Sequence, residues 1–199
     1  MRYEILDVSI SIKDIKTQVA RHRRIISTKG EDKEVICASV LVPIILVNDE
    51  LHLLLTVRTH EVETHKGQIS FPGGMCDEAD INETETALRE AGEEIGLPKS
   101  SVEILGLLDD FITPTGFMIT PVVGYIHSLP QLKPNPDEVA EILTVPLSFF
   151  SDKQNGRTEE RTINGKQLTV WFFTFQHHVI WGATAGIIKH FHNIIEDKP

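Results

Sequence analysis

A chain of 199 residues with 41% hydrophobic and 24% charged side chains has the make-up of one ordinary soluble domain, long enough to bury a real core. Its formal net charge of −10 excludes a general nucleic-acid binder, which needs a basic footprint, and no apolar run reaches bilayer-spanning length, so neither nucleic acid nor membrane is an expected partner. Cys37 and Cys76 are too few for a disulfide framework, and the opening MRYEILDVSISIKDIK has no continuous apolar region or small-residue cleavage site, so a reducing cytoplasm is the expected location.

In chain order, residues 1–33 read as a helical appendage to a main domain at 34–199. An amphipathic helix is expected from about Ile12 to Ile26, with Arg21-His22-Arg23-Arg24 as a solvated helix face rather than a phosphate-binding patch. Thr28 to Lys33 is a polar linker. From Val35 to Val57 the pattern switches to strands: two runs rich in β-branched and aliphatic residues flank a turn at Asn48-Asp49-Glu50, and their length implies burial on both faces. Arg58 follows at a strand end, where side chains commonly reach a site. His60 and His65, without partners at metal-ligand spacing, read as surface histidines.

The stretch from Gly67 to Leu97 carries the chemistry. Phe71-Pro72-Gly73-Gly74 is a stiff loop poor in side chains, which lets backbone approach backbone or phosphate closely. Asn82 with Glu85 forms a capping-box pattern that starts a helix near Glu83, and Gly96 with Pro98 stops it. On that helix Glu90 lies three and four residues before Glu93 and Glu94, so the three carboxylates share a face. Like charges in one patch repel, and a hard divalent cation such as Mg2+ or Mn2+ removes the repulsion. Arg89, four before Glu93, is placed to hold that carboxylate in one rotamer. An exposed acidic helix with a salt bridge is the alternative reading of the cluster.

Beyond the helix, Val102 to Leu108 and Ile119 to Ile126 read as strands around the loop DDFITPTGF. Lys133-Pro134-Asn135-Pro136 is a stiff turn into the acid-bearing segment Asp137 to Ile142, in which Glu138 and Glu141 are either site acids or the solvated start of a helix. A further piece runs from Val145 to near Phe150. Residues 152–166 look polar and irregular, Leu168 to Phe175 a strand, and Gly182 to Ile195 a closing helix. His190 and His192, two apart on that helix, face different sides and read as structural rather than as a metal pair.

These residues resemble the Nudix hydrolases, whose box reads G, five residues, E, seven residues, then R-E-U-x-E-E-x-G-U with U aliphatic. Arg89 to Leu97 matches without a gap. The first half departs: five residues after Gly74 stands Asp80 rather than Glu, and eight residues rather than seven separate it from Arg89, an insertion of one with a Glu-to-Asp change. Leu54 to Arg58, His65 to Gly74, Asp77, Asp80, Thr86 to Ala91, Gly116-Phe117, Pro121 to Gly124, Pro134 to Pro136 and Ile180 to Ala185 are similar to the coenzyme A pyrophosphatase subgroup, over roughly residues 35–190. That subgroup carries a second arginine five residues after the first, where this chain has Glu63.

The resemblance implies an α/β fold, a Nudix-type α/β/α sandwich with a mixed β-sheet, and metal-dependent hydrolysis of coenzyme A or acyl-coenzyme A to 3',5'-ADP and 4'-phosphopantetheine. ADP-ribose, NADH or a nucleotide sugar are the alternative substrates. A non-catalytic nucleotide-sensing module is the alternative class, disfavoured by the intact acids. It implies Mg2+ or Mn2+ on Glu90, Glu93 and Glu94, and a catalytic set of Arg89, Glu90, Glu93, Glu94 and Glu138. Arg58, Lys66, Gly73 and Gly74 would contact a small nucleotide substrate, with Arg58 and Lys66 as candidates for the 3'-phosphate. In the wider superfamily the base is a box or a loop glutamate, so both remain open here. A homodimer is compatible with this reading.

Overall fold

The turn at Asn48-Asp49 sets the main sheet. Both residues take left-handed backbone, φ 49° and 64°, the conformation at both central positions that a tight two-residue hairpin requires. It folds β1 (Ile36–Val47) back on β2 (Glu50–Arg58), with Val47 opposite Glu50. In this computed structural model, which describes residues 10–27, 35–59, 67–163 and 165–196, α1 (Ile12–Arg21) precedes that hairpin. After it come β3 (Ile69–Ser70), β4 (Gly73–Met75), α2 (Glu83–Ile95), β5 (Val102–Leu107), β6 (Phe111–Ile112), β7 (Phe117–Ile126) and β8 (Val139–Pro146). The chain closes with β9 (Gly156–Ile163), β10 (Lys166–Phe175), β11 (His178–Trp181) and α3 (Gly182–Glu196).

The main sheet runs β3-β2-β1-β7-β5, with β4 also on β1, β8 on β2 and β6 on β7. Among the described residues only β1 and β7 pair in parallel, so the sheet is mixed. A second sheet, β11-β10-β9, is a meander. Alternation along β1 and β2 sends side chains to opposite faces. Leu41, Ile45 and Leu54 meet Ala87, Ala91 and Ile95 of α2, whereas Val42, Ile44, Leu53 and Leu55 pack with Ile15 of α1 and Phe191 of α3. Helices on both faces make the expected α/β/α sandwich. Leu41 and Leu54 are fully buried, and truncating either to alanine should cost about 2–5 kcal/mol.

Three elements differ from expectation. The first helix stops at Arg21 rather than Ile26, because His22 turns extended (φ −62°, ψ 129°) and the chain then binds the 109–110 loop through Ile25 N–H to Asp109 at 2.7 Å and Asp110 N–H to Ile25 at 3.3 Å. Arg24 therefore leaves the solvated face expected of it and reaches Asp110, Glu83 and Thr120. Glu138 and Glu141 do not start a helix: the segment becomes β8, paired along most of β2. Residues 152–166 hold a strand, β9, where irregular chain is expected. Its charges disguise it, since Arg157 and Arg161 find their apolar partners on other strands, stacking over Phe172, with Arg161 also over Trp181. Among the described residues no helix is long and apolar enough to cross a membrane.

Candidate active site

α2 begins where the sequence places it. Asn82 Oδ1 accepts the Glu85 N–H at 3.0 Å, capping the first turn, while Glu85 turns away to Lys99 and leaves the box half made. Gly96, at φ 66°, ends the helix in the left-handed conformation, which glycine adopts without strain. The segment after β7 then crosses this end: Lys133 N–H donates to the Ile95 carbonyl at 2.9 Å and Asn135 N–H to the Glu94 carbonyl at 2.8 Å. The stiff Pro134-Asn135-Pro136 turn thus satisfies carbonyls the helix leaves open, and it delivers Glu138 to the acidic face.

The helix lies under β4, and the fit is tight. A side chain added at Gly74 would meet the Glu90 carboxyl at 2.5 Å, so only glycine admits that carboxylate beneath the loop. Glu90 is half-buried; desolvation raises its carboxyl above the usual range, Arg89 opposes this, and Glu93 and Glu138 add to the rise. Glu94 is 3% exposed. Burial pushes its carboxyl up to about 8; Arg58 and the Gly73 amide pull it down, Glu138 and Glu90 push it up further. Among the described residues its buried Oε2 has no hydrogen-bond partner, and its nearest cation is Arg58, with Nη1 3.8 Å from Oε1.

Arg89 is the most heavily bonded side chain here. It donates from Nε to Asp80 Oδ1 and from Nη2 to Asp80 Oδ2, both at 3.0 Å, a bidentate fork. It also donates to Glu90 at 2.8 Å, to Glu93 at 3.1 Å and to the Met75 carbonyl at 3.0 Å. Asp80 is fixed in turn by the Thr86 hydroxyl at 2.9 Å and the Asp77 N–H at 3.0 Å, and these contacts, the Arg89 fork foremost, hold its carboxyl far below the usual range. The inserted residue and the shorter acid therefore still give Arg89 its planar partner. Sequence spacing points to Glu93 as that partner, whereas Glu93 is the weaker and more exposed one. Asp80, fully engaged, is unsuited to accept a proton.

Glu138 accepts from Asn135 Nδ2 at 2.9 Å and lies close enough to Glu90 and Glu94 to raise both. Glu141 does not join them. It shares a sheet face with Leu143 and Val145, away from α2, and its carboxylate stands 3.6 Å from His178. The structure thus brings together Arg58, Gly73, Gly74, Arg89, Glu90, Glu94 and Glu138, with Glu93 at the rim. Lys66, Glu63, His60 and His65 lie outside the described residues. Asn135 is the residue that sequence reasoning passed over; its signal was the stiff turn flanked by two prolines.

The donor set fits a hard dication. Buried carboxylates that repel one another, one with an orphaned oxygen, gain most from a compact cation that takes oxygen ligands. The glutamate oxygens are not drawn as a triple to within 4.8 Å of one another, so an ion here would complete its shell with water, as Mg2+ usually does.

With the geometry in view, comparison with known proteins is direct. The NUDIX domain family model matches residues 39–173. The uncharacterized Nudix hydrolase NudL of Photorhabdus laumondii is 41% identical over 151 residues, covering 76% of this chain and 80% of that protein. The protein of the same name from Pectobacterium atrosepticum is 40% identical over 164 residues, covering 81% and 84%. Among solved structures, a MutT/nudix family protein from Enterococcus faecalis superposes with a TM-score of 0.54 at 17% identity, over 94% of this chain and 70% of that one, a likeness of fold.

Proposed function

The chain belongs to the NUDIX family, as a Nudix hydrolase of a nucleoside diphosphate derivative, and from that premise we propose that its substrate is coenzyme A or an acyl derivative, cleaved to 3',5'-ADP and a 4'-phosphopantetheine fragment. The observation that carries the reaction is Glu94, a buried carboxylate with an unpartnered oxygen beside Glu90 and Glu138 beneath Gly73-Gly74. What supports the substrate is the resemblance of the stretches around the site. Two of them, Leu54 to Arg58 and His65 to Gly74, meet where Thr56 pairs with Ser70 and Val57 with Ile69.

Glu90, Glu93 and Glu94 would hold Mg2+ or Mn2+, which supplies charge neutralisation on the diphosphate and acidifies water. The chain's own residues do the rest. Arg89 fixes Glu90 and Glu93 in position through its bond to each while anchored on Asp80. Glu138, with one oxygen tied to Asn135, has the other to accept a proton from the attacking water. A new phosphorus–oxygen bond then forms in line with the bridging oxygen, whose bond to the same phosphorus breaks. Gly73 and Gly74 would contact the substrate through backbone alone, since the space of their missing side chains is already filled by β1 and the Glu90 carboxylate.

The test is a substrate panel of coenzyme A, 3'-dephospho-coenzyme A, ADP-ribose, NADH and a nucleotide sugar, with Mg2+ or Mn2+ and product identification by mass spectrometry. Highest kcat/KM on coenzyme A, with release of 3',5'-ADP, is expected. Preference for ADP-ribose or a nucleotide sugar would overturn the substrate while leaving the hydrolase intact.

A further inference from the structure

Away from the acidic helix, the fold joins three residues that the sequence keeps far apart. His22 is the residue that ends α1, Asp109 lies just after β5, and His190 sits on α3. His22 Nε2 is 2.9 Å from Asp109 Oδ1, and His190 Nε2 is 3.2 Å from Asp109 Oδ2. The three donor atoms all fall within 4.8 Å of one another. His190 Nε2 is buried with no hydrogen-bond partner although the carboxylate is so near, so the ring nitrogen aims at the cluster without the geometry of an N–H···O bond. The two rings meet edge to face, centroids 5.7 Å apart. Asp109 is held in place, since its Oδ1 also accepts the Ile25 N–H at 2.7 Å.

We propose that His22, Asp109 and His190 form a second metal site, for a divalent transition ion of the zinc class, with water completing the shell. The donor chemistry sets the class: two imidazoles and one carboxylate suit Zn2+, Co2+ or Ni2+, and Mg2+ poorly. Spacing agrees with it. Tetrahedral donors at about 2.0–2.1 Å from zinc stand roughly 3.3 Å from one another, and each imidazole stands at about that distance from one oxygen of Asp109, the two using different oxygens. The side chains are partly open to solvent, at 16%, 22% and 33% exposure, while the His190 Nε2 atom itself is buried, so the cluster lies just beneath the surface. Its role is a staple. The ion ties α1 to α3 and to the 109–110 loop, and so fixes the segment carrying Arg24, whose guanidinium joins Asp110 to Glu83 in the first turn of α2.

The experiment uses the full chain, stripped of metal and held in excess Mg2+. Zn2+ is titrated against a chromophoric chelator, and the melting temperature is followed in parallel. Glu90→Gln/Glu94→Gln removes the all-oxygen site. One equivalent of zinc should survive in that background, raise the melting temperature, and weaken at least about a hundredfold on adding His190→Gln or His22→Gln. X-ray absorption at the zinc edge of the otherwise unaltered protein needs no histidine variant and should show two imidazoles. No zinc binding in excess Mg2+, an oxygen-only shell, or undiminished affinity in both histidine variants would each overturn the site and leave the three groups as an ion cluster.

Discussion

Two buried carboxylates divide this molecule. The Asp110 side chain is 0% exposed and Glu94 3% exposed, so both have lost their water. Asp110 is repaid inside the chain: it accepts from Arg24 at 2.6 Å, from the Thr120 hydroxyl at 2.8 Å and from the Ser27 N–H at 3.0 Å. Among the described residues Glu94 keeps one oxygen without a partner, with its nearest guanidinium at 3.8 Å and two further glutamates pressing on it. Burial alone does not separate a structural acid from a functional one; completeness of partners does. The fold satisfies Asp110 fully and Glu94 poorly, the pattern expected of a carboxylate that would hold a cation under the proposed function.

The largest effect should come from unmaking the complete one. Asp110→Asn leaves the partly buried Arg24 without its main counter-charge, and breaking such a pair costs about 3 kcal/mol or more. The urea midpoint should fall at unchanged slope, with turnover per folded molecule retained. A loss within experimental error would show that Glu83 suffices for Arg24.

Glu94→Gln probes the other side. Turnover should drop about a hundredfold, worth roughly 2.7 kcal/mol of barrier, while circular dichroism stays native. Stability should move the opposite way from Asp110→Asn when metal is chelated. The Glu94 carboxyl titrates at about 8 in the fold against an ordinary 4.5. The folded state therefore holds a proton the unfolded state has lost, and stability declines as pH rises from about 4.5 to about 8. Glutamine escapes that decline, so the metal-free variant should melt above wild type at pH 8 and level with it at pH 4. Added Mg2+ should stabilise wild type far more than the variant.

The contrast also shows what a sequence can carry. The acidic helix was legible because its meaning is local: Glu90, Glu93 and Glu94 share a face by spacing alone, and Asn82 and Gly96 mark its ends. The hairpin at Asn48-Asp49 and the doubly buried strands were legible for the same reason. Asp110 was not, because nothing near it foretells Arg24, which the helix pattern assigned to solvent. Glu138 was named as an acid, but its placement depends on a strand whose pairing with β2 no local pattern shows. β9 was missed because its stacking partners, Phe172 and Trp181, lie on other strands. His22 and His190 fall in the same class, brought together on Asp109 by the packing of α1 and α3.

Arg89→Lys should have a smaller effect. An ammonium cannot reproduce the fork to Asp80 while also holding Glu90 and Glu93. A fall of about tenfold in kcat, roughly 1.4 kcal/mol, with weaker metal binding and little change in KM is expected. Full activity in this variant would reduce the Arg89 contacts to packing.

The smallest and most discriminating effect belongs to Arg58. It ends β2 two residues beyond Thr56 on the face that Leu54 turns to α2, so strand alternation brings it toward Glu94. Its Nε is buried without a partner among the described residues, so an anion arriving at the site would find a donor already desolvated. Two roles are distinguishable. A guanidinium that reads the 3'-phosphate of coenzyme A would, on Arg58→Ala, raise KM for coenzyme A and leave 3'-dephospho-coenzyme A unchanged. One that faces the diphosphate would raise KM for both by the same several-fold factor, on the order of 1 kcal/mol for a partly screened charge contact. The equal rise is expected, because Arg58 already leans on a carboxylate of the proposed reaction centre, and the 3'-phosphate lies a ribose away from the linkage that breaks. A rise confined to coenzyme A would instead make Arg58 the selector, and would place the nucleotide across Glu94 with its ribose toward β2.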